Sequence, residues 1–356
     1  MLGIDYRAAR AAWTVFLVAL LIATAYAIRA TLVVLATALL FAYLLIPLVD
    51  LVQRYTPRQI SPNLALALVY IAFIGALVAL AVTIGSRIAD EAGTLADRLP
   101  DLVRNRTWID QIPLPHWLEP GRDQIVGAIQ SEFDAGGRDL LPYVKDLPKE
   151  FISASKYLLD TVLVPILAFF FLKDGQRMRE ALVESLVDLA QRPVVEDILA
   201  DINRLLGQYI RALVLLALSS FLAYTLFLGI TGAPYVVLLA GVAGVLEFIP
   251  VVGPFTAAVL VAAVAGFSGY THLLSFVVFW IAFRLFQDYF LSPHLMSAGV
   301  ELSPVLVLFG VLAGERIAGI AGMFFSVPVL ATLRVIFVRL QRARRRELYA
   351  PAQIEA

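Results

Sequence analysis

Glu247-Phe248-Ile249-Pro250-Val251-Val252-Gly253-Pro254 sets an acid, two prolines and a glycine in the middle of an apolar segment. In a soluble domain such a run is an ordinary loop, but here residues 235–246 and 255–267 on either side contain no Lys, Arg, Asp or Glu. The break therefore falls at membrane depth. Non-helical backbone in hydrocarbon leaves N–H and C=O groups unpaired unless protein or water covers them, so irregular chain at that depth usually lines a cavity. Proline removes a donor and cannot continue the helical ladder, so Pro250 and Pro254 are expected to end one half-helix and open another. Length agrees: residues 235–267 as one helix would run roughly 50 Å, against a hydrocarbon core of about 30 Å.

A second long apolar segment, residues 305–338, has the same character, with Gly314-Glu315-Arg316 in its first third and Pro328 towards its end. Two Gly/Pro-interrupted apolar segments late in a polytopic chain point to a transport site. The competing reading is that proline kinks serve helix packing alone.

Composition supports a membrane setting. Of 356 residues, 60% are hydrophobic and 16% charged, and the mean hydropathy is +0.84. Soluble domains run nearer half apolar and a quarter charged, so the chain reads as an all-α, polytopic integral membrane protein. A net formal charge of zero hides an uneven distribution, because residues 339–346 form an Arg-rich tail. That tail is a topology signal before it is a nucleic-acid signal, and nucleic acid is not expected as a partner. The absence of cysteine excludes disulfides and thiol chemistry.

In chain order, residues 1–85 are expected to hold three spans, the first retained rather than cleaved. Residues 86–150 turn soluble in composition and read as an extracytoplasmic helical insert, with Ile88, Ala92, Leu95 and Leu99 at helical intervals. Residues 151–172 form a fourth span, closed by Lys173-Asp174-Gly175 as a helix stop. Residues 173–207 read as cytoplasmic amphipathic helices broken at Pro193. Residues 208–338 are the candidate transport core, and residues 339–356 a basic cytoplasmic tail. About eight membrane segments result, the two late ones either crossing as broken helices or turning back as re-entrant hairpins. Arg7, Arg10, Arg54, Arg58, Lys173, Arg177, Arg179 and the tail fall on one side if spans alternate, which the positive-inside rule makes the cytoplasm, with both termini there.

An ionisable side chain at membrane depth carries at least about 2.5 to 3.5 kcal/mol on insertion scales, so each needs a partner or a role. Glu247 sits at the break. Arg284 and Asp288 lie four apart, hence on one helix face, with Gln287 adjacent. Arg316 sits where the last segment is interrupted. The functional reading gathers Glu247, Arg284, Gln287, Asp288 and Arg316 beside Pro250, Gly253 and Pro254 around one wet cavity. There, Glu247 or Asp288 exchanges a proton and an arginine supplies counter-charge. The alternative makes Arg284–Asp288 a static pair that glues helices, and a reading of another class makes the chain a non-transporting membrane scaffold that binds partners through residues 86–150 and 176–206. Gly310, Gly314, Ala318 and Gly322 recur every four residues, a small-residue ridge for close helix packing within or between subunits. Asp160, Asn203, Tyr209 and Arg211 read as interface residues.

Enzyme signatures are thin. Gly266-Phe267-Ser268-Gly269 matches the short G-x-S-G pattern of intramembrane serine proteases, with His294 one helix on, but a four-residue match in a Gly-rich chain is weak. Three histidines without H-E-x-x-H make a catalytic metal site improbable, no cofactor is implied, and no P-loop appears.

At Phe248 to Pro254, at Phe169-Phe170-Phe171-Leu172-Lys173-Asp174-Gly175, at Gln287-Asp288-Tyr289-Phe290-Leu291-Ser292-Pro293, and at Gly319-Ile320-Ala321-Gly322-Met323 with Ser326-Val327-Pro328, the chain resembles the autoinducer-2 exporter family of bacterial permeases. The resemblance runs nearly end to end. It implies a multi-span bacterial inner-membrane exporter, oligomeric, tied either to export of a small polar signal or to cation/proton antiport with H+ or Na+. Many members carry an amide just before the Ile-Pro run, where this chain has Glu247, which leans towards an ion-coupled role.

Overall fold

The computed structural model describes residues 6–55, 62–104, 158–186, 191–295 and 302–349. Helices dominate, and no strand occurs among the described residues. In chain order these are α1 (Tyr6–Ala27), α2 (Arg29–Tyr55), α3 (Pro62–Arg104), α4 (Leu158–Leu186), α5 (Arg192–Ile230), α6 (Val236–Leu246), α7 (Val252–Phe267) and α8 (Leu273–Phe286). A π-helical turn (Gln287–Leu291), the short α9 (Ser292–Leu295) and α10 (Pro304–Tyr349) complete the described chain. Apolar stretches long enough to cross a bilayer occur in α1, α2, α3, α5, α8 with its extension, and α10. The protein is a polytopic, all-helical membrane protein.

The centre of the molecule is α5, which packs against α2, α6 and α10. Small residues set its distance from α6: a Cβ placed on Gly244 would lie 3.1 Å from the Ala217 carbonyl oxygen of α5. Larger side chains fill the far end, where Tyr224 and Phe227 of α5 meet Phe276, Phe279 and Phe283 of α8. Phe227 and Phe279 stack with centroids 4.2 Å apart, and Tyr224 meets Phe279 edge-on at 5.5 Å.

Both late apolar segments are broken, at the backbone positions their chemistry demands. Between α6 and α7, residues 247–251 form a tight turn in which Gly253 passes so close to Leu246 that a Cβ would sit 1.8 Å from its carbonyl oxygen. With 11 and 16 residues, α6 and α7 reach only about 16 and 24 Å at 1.5 Å per residue. Within α10, Ala318 and Gly319 leave helical geometry, and Gly319 takes φ 60°, ψ −139°, a conformation open to glycine. The chain folds back there: a Cβ on Gly314 would meet the Gly322 carbonyl oxygen at 2.2 Å, and one on Gly310 would meet the Leu330 side chain at 2.4 Å. Gly310, Gly314 and Gly322 thus face one another across two arms of one hairpin, and Ala318 is in its turn. The interruption expected at residues 314–316 lies at Ala318-Gly319 instead, because only Gly319 carries the positive φ.

Four expected boundaries are not breaks in the chain. The helix of the third span runs on unbroken through Ser86 to Arg104, because Ile88, Ala92 and Leu95 find an apolar partner in Leu238 and Val242 of α6. Glu91 on the same stretch accepts the Leu238 N–H at 2.8 Å, satisfying one of the free donors at the start of α6. The rest of the proposed insert lies outside the described residues. Lys173-Asp174-Gly175 is not a helix stop: α4 continues to Leu186, held by the Gln176–Glu180 hydrogen bond of 3.1 Å and by burial of Val183. One glycine inside a helix carries a penalty of about 1 kcal/mol, small enough for these contacts to offset. Pro193 opens α5, where a missing N–H is harmless, and the helix then runs without interruption from the amphipathic stretch into the apolar one. The first part of the basic tail is equally continuous with α10, and Arg339 is clamped by Asp201 at 2.6 Å and Asp197 at 3.1 Å of α5.

Candidate functional site

The turn between α6 and α7 places Glu247 against α5 and α8, where its residue is 8% exposed. A buried carboxylate requires donors. Oε2 accepts the Ser220 hydroxyl at 2.8 Å, and Oε1 faces Arg284 Nη1 at 3.5 Å. Ser220, 2% exposed, in turn accepts Gln287 Nε2 at 3.0 Å. Arg284 forks the other way to Asp288, with Nε and Nη2 each 3.0 Å from its carboxylate oxygens. One guanidinium therefore joins a buried acid to a half-exposed one. Gln287 opens the π-helical turn, whose extra residue rotates the helix; such single-turn bulges are frequent at functional sites.

Strain marks the same turn. Val251 takes φ 65°, ψ −57°, the positive-φ γ-turn that is rare even for unbranched residues, closed by the Val252 N–H donating to the Pro250 carbonyl at 2.7 Å. A β-branched residue held there stores about 1–3 kcal/mol, and it persists only because Pro250 and the Gly253–Leu246 contact leave the chain no alternative.

These residues form one wall of a cavity of about 260 Å³. Glu247, Pro250, Pro254, Arg284, Gln287 and Asp288 line it from the turn and α8, with Val327 and Ala331 of α10 opposite. From α5 come Gln208 and Tyr209. Among the described residues, Gln208 Oε1 and the Tyr209 hydroxyl are buried polar atoms without a hydrogen-bond partner. Native proteins rarely leave such groups unsatisfied, so both call for something polar in this cavity. Its formal balance is two acids against one arginine, which suits a neutral or cationic solute better than an anion.

Of the residues singled out in the sequence, Glu247, Pro250, Pro254, Arg284, Gln287 and Asp288 come together here, and Gly253 makes the turn possible. Arg316 does not join them: its side chain is 89% exposed and its ion-pair partner is the neighbouring Glu315, at 3.5 Å. It precedes the hairpin turn on the outer face. Ser220 and Gln208 were not anticipated and Tyr209 was read only as an interface residue, although Gln208-Tyr209 and Ser219-Ser220 are polar doublets in a mostly apolar stretch. His294 bonds the Phe290 carbonyl one helical turn back and pairs with no serine among the described residues. Among the described residues no group of three or more His, Cys, Asp or Glu could hold a metal ion.

Comparison with known proteins places this geometry in context. Residues 15–342 match the model of the AI-2E family transporters. Similar proteins include "Putative transport protein YueF" of Bacillus subtilis strain 168, 25% identical over 325 residues, 86% of this chain and 85% of that one. A second Bacillus subtilis protein, "Putative transport protein YrrI", is 30% identical over 188 residues, 53% of each chain. "Putative permease PerM" of Escherichia coli K12 is 25% identical over 181 residues, 49% of this chain and 50% of that one.

Proposed function

Because the chain belongs to the AI-2E family of transporters, we propose that it exports a small polar solute through the cavity at Glu247. Autoinducer-2 is the first cargo to test, and proton exchange at Glu247 the proposed coupling. The observation that carries this reading is a buried carboxylate at a double helix break, lining a cavity together with Gln208 and Tyr209, each of which has a buried polar atom unpartnered among the described residues. Irregular backbone at membrane depth is tolerated where it lines such a cavity.

Transport works by exposing the cavity alternately to the two sides. The short α6–α7 pair and the α10 hairpin supply the moving walls, re-entering the membrane without crossing it. The N- and C-termini are assigned to the cytoplasm, a reading that the positions of Lys and Arg support. Arg284 neutralises Glu247 when the site is empty of cations, and a proton or a donor group of the solute takes that part when the acid is engaged. A second reading, cation/proton antiport, is favoured by the excess of one acid over the arginine in the lining.

Vesicles carrying the purified chain and an internal pH dye separate the two. Signal efflux abolished by Glu247→Gln supports the exporter, and proton flux driven by added Na+ and lost in the same variant supports antiport. Equal transport of both by wild type and Glu247→Gln would remove Glu247 from the mechanism.

A further inference from the structure

Outside the Glu247 site, a larger cavity of about 650 Å³ opens between α2, α4 and α5. Its walls are mostly apolar, chiefly Leu39, Ile46, Phe171 and Leu199, and they open to the surface through Met178 and through Ile46 of the α2 span, which are 48% and 39% exposed. One cation, Arg179, stands at its edge. Its only hydrogen bond among the described residues is a 3.5 Å approach of Nη2 to the Glu196 carbonyl, and none of their carboxylates lies within ion-pair distance of it. Three other arginines, Arg192, Arg284 and Arg339, by contrast each hold two carboxylates at 3.5 Å or less. Close by, Tyr43 donates its hydroxyl to Asn203, and both line the same cavity.

A half-buried guanidinium with no counter-charge among the described residues calls for an anion, and a groove of largely alkyl and aromatic walls calls for hydrocarbon. We propose that this groove binds an anionic phospholipid, with its phosphate on Arg179 beside Asn203 and an acyl chain along α2 and α5. One molecule then meets both requirements. Free phosphate would leave the apolar walls ungripped, and a peptide would bring backbone groups that this lining cannot satisfy. Arginine is suited to the role because its planar fork matches phosphate oxygens in pairs.

The test is native mass spectrometry of the full chain, purified in detergent and offered equal amounts of phosphatidylglycerol and phosphatidylcholine. Wild type is expected to retain phosphatidylglycerol preferentially. Arg179→Ala should weaken that retention roughly tenfold, the equivalent of one charge-assisted hydrogen-bonded pair, while Arg177→Ala, at an exposed position outside the groove lining, should leave it unchanged. Gly175→Phe guards against misfolding of the first variant: Gly175 lines the groove and a Cβ there meets nothing within 4 Å. A ring at that position should expel the lipid without disturbing the helix. Equal retention of both lipids by wild type, unchanged retention in Arg179→Ala and Gly175→Phe, or displacement of the lipid by millimolar inorganic phosphate would each overturn the proposal. So would cross-linking that shows a second copy of the chain seated in the groove.

Discussion

Removing Arg284 should strand a charge. Arg284 Nη1 lies 3.5 Å from Glu247 Oε1, a separation worth about 5 kcal/mol at an effective dielectric of about 20. Two features reduce what the truncation exposes: the Arg284 side chain is 30% exposed, and Glu247 keeps the Ser220 hydroxyl. Asp288 is 47% exposed and adds only the few tenths of a kcal/mol typical of a solvated pair four residues apart. Arg284→Ala is therefore expected to destabilise the fold by about 3 kcal/mol, at the lower end for a broken buried pair. In Arg284→Ala/Glu247→Gln no charge is stranded and the amide oxygen still accepts from Ser220. That double variant should lose only about 1 kcal/mol against wild type, most of it the side-chain packing of the arginine. Equilibrium unfolding in mixed micelles should therefore find the double variant about 2 kcal/mol more stable than Arg284→Ala if the geometry governs stability. Equal destabilisation of the single and the double variant would show that Glu247 is not held by Arg284, and the electrostatic description of the site would fail.

Glycine substitutions separate close approach from open helix. Gly253→Ala places a methyl 1.8 Å from a backbone oxygen and should prevent the α6–α7 turn from forming, read as loss of monodisperse protein on extraction. Gly85→Ala meets nothing within 4 Å in mid-α3 and should stabilise by about 0.5–1 kcal/mol; destabilisation there would mean that the helix bends at the boundary its composition suggests. Glu91→Ala removes the carboxylate that accepts the Leu238 N–H and should lose about 1 kcal/mol, with faster amide exchange at the start of α6 as the local readout.

How much of this was legible in the sequence depends on whether a residue's role is decided by its neighbours in chain or in space. Pro250, Gly253 and Pro254 dictate a break whatever surrounds them, and Arg284 and Asp288 meet because helical geometry sets residues four apart on one face. Ser220 was not legible. A serine in an apolar helix ordinarily bonds a carbonyl in the preceding turn, as Ser219 does with Leu216 at 2.8 Å, and only the packing of α6 on α5 turns its neighbour towards Glu247. Arg316 was misplaced for a related reason. Gly314, Gly319 and Gly322 were equally plausible breaking points, and the choice of Gly319 leaves Arg316 in the last turn of the first arm, pointing outward. The continuous α3, α4 and α5 show that a shift in composition need not mark a break in the chain: the helices run across each shift, because hydrogen bonding along the backbone is indifferent to whether the next side chain is Leu or Asp.

The cavity beside Glu247, with its charged groups set among apolar walls, is expected to be reached from water. The chain contains no cysteine, so single cysteines report accessibility without background. Ser292→Cys, on the cavity lining, should react with a membrane-impermeant maleimide in reconstituted vesicles, and cargo should slow that reaction. Val259→Cys, 51% exposed on the apolar surface of α7, should not react. Labelling of Ser292→Cys no faster than Val259→Cys, from either side of the membrane, would contradict the account.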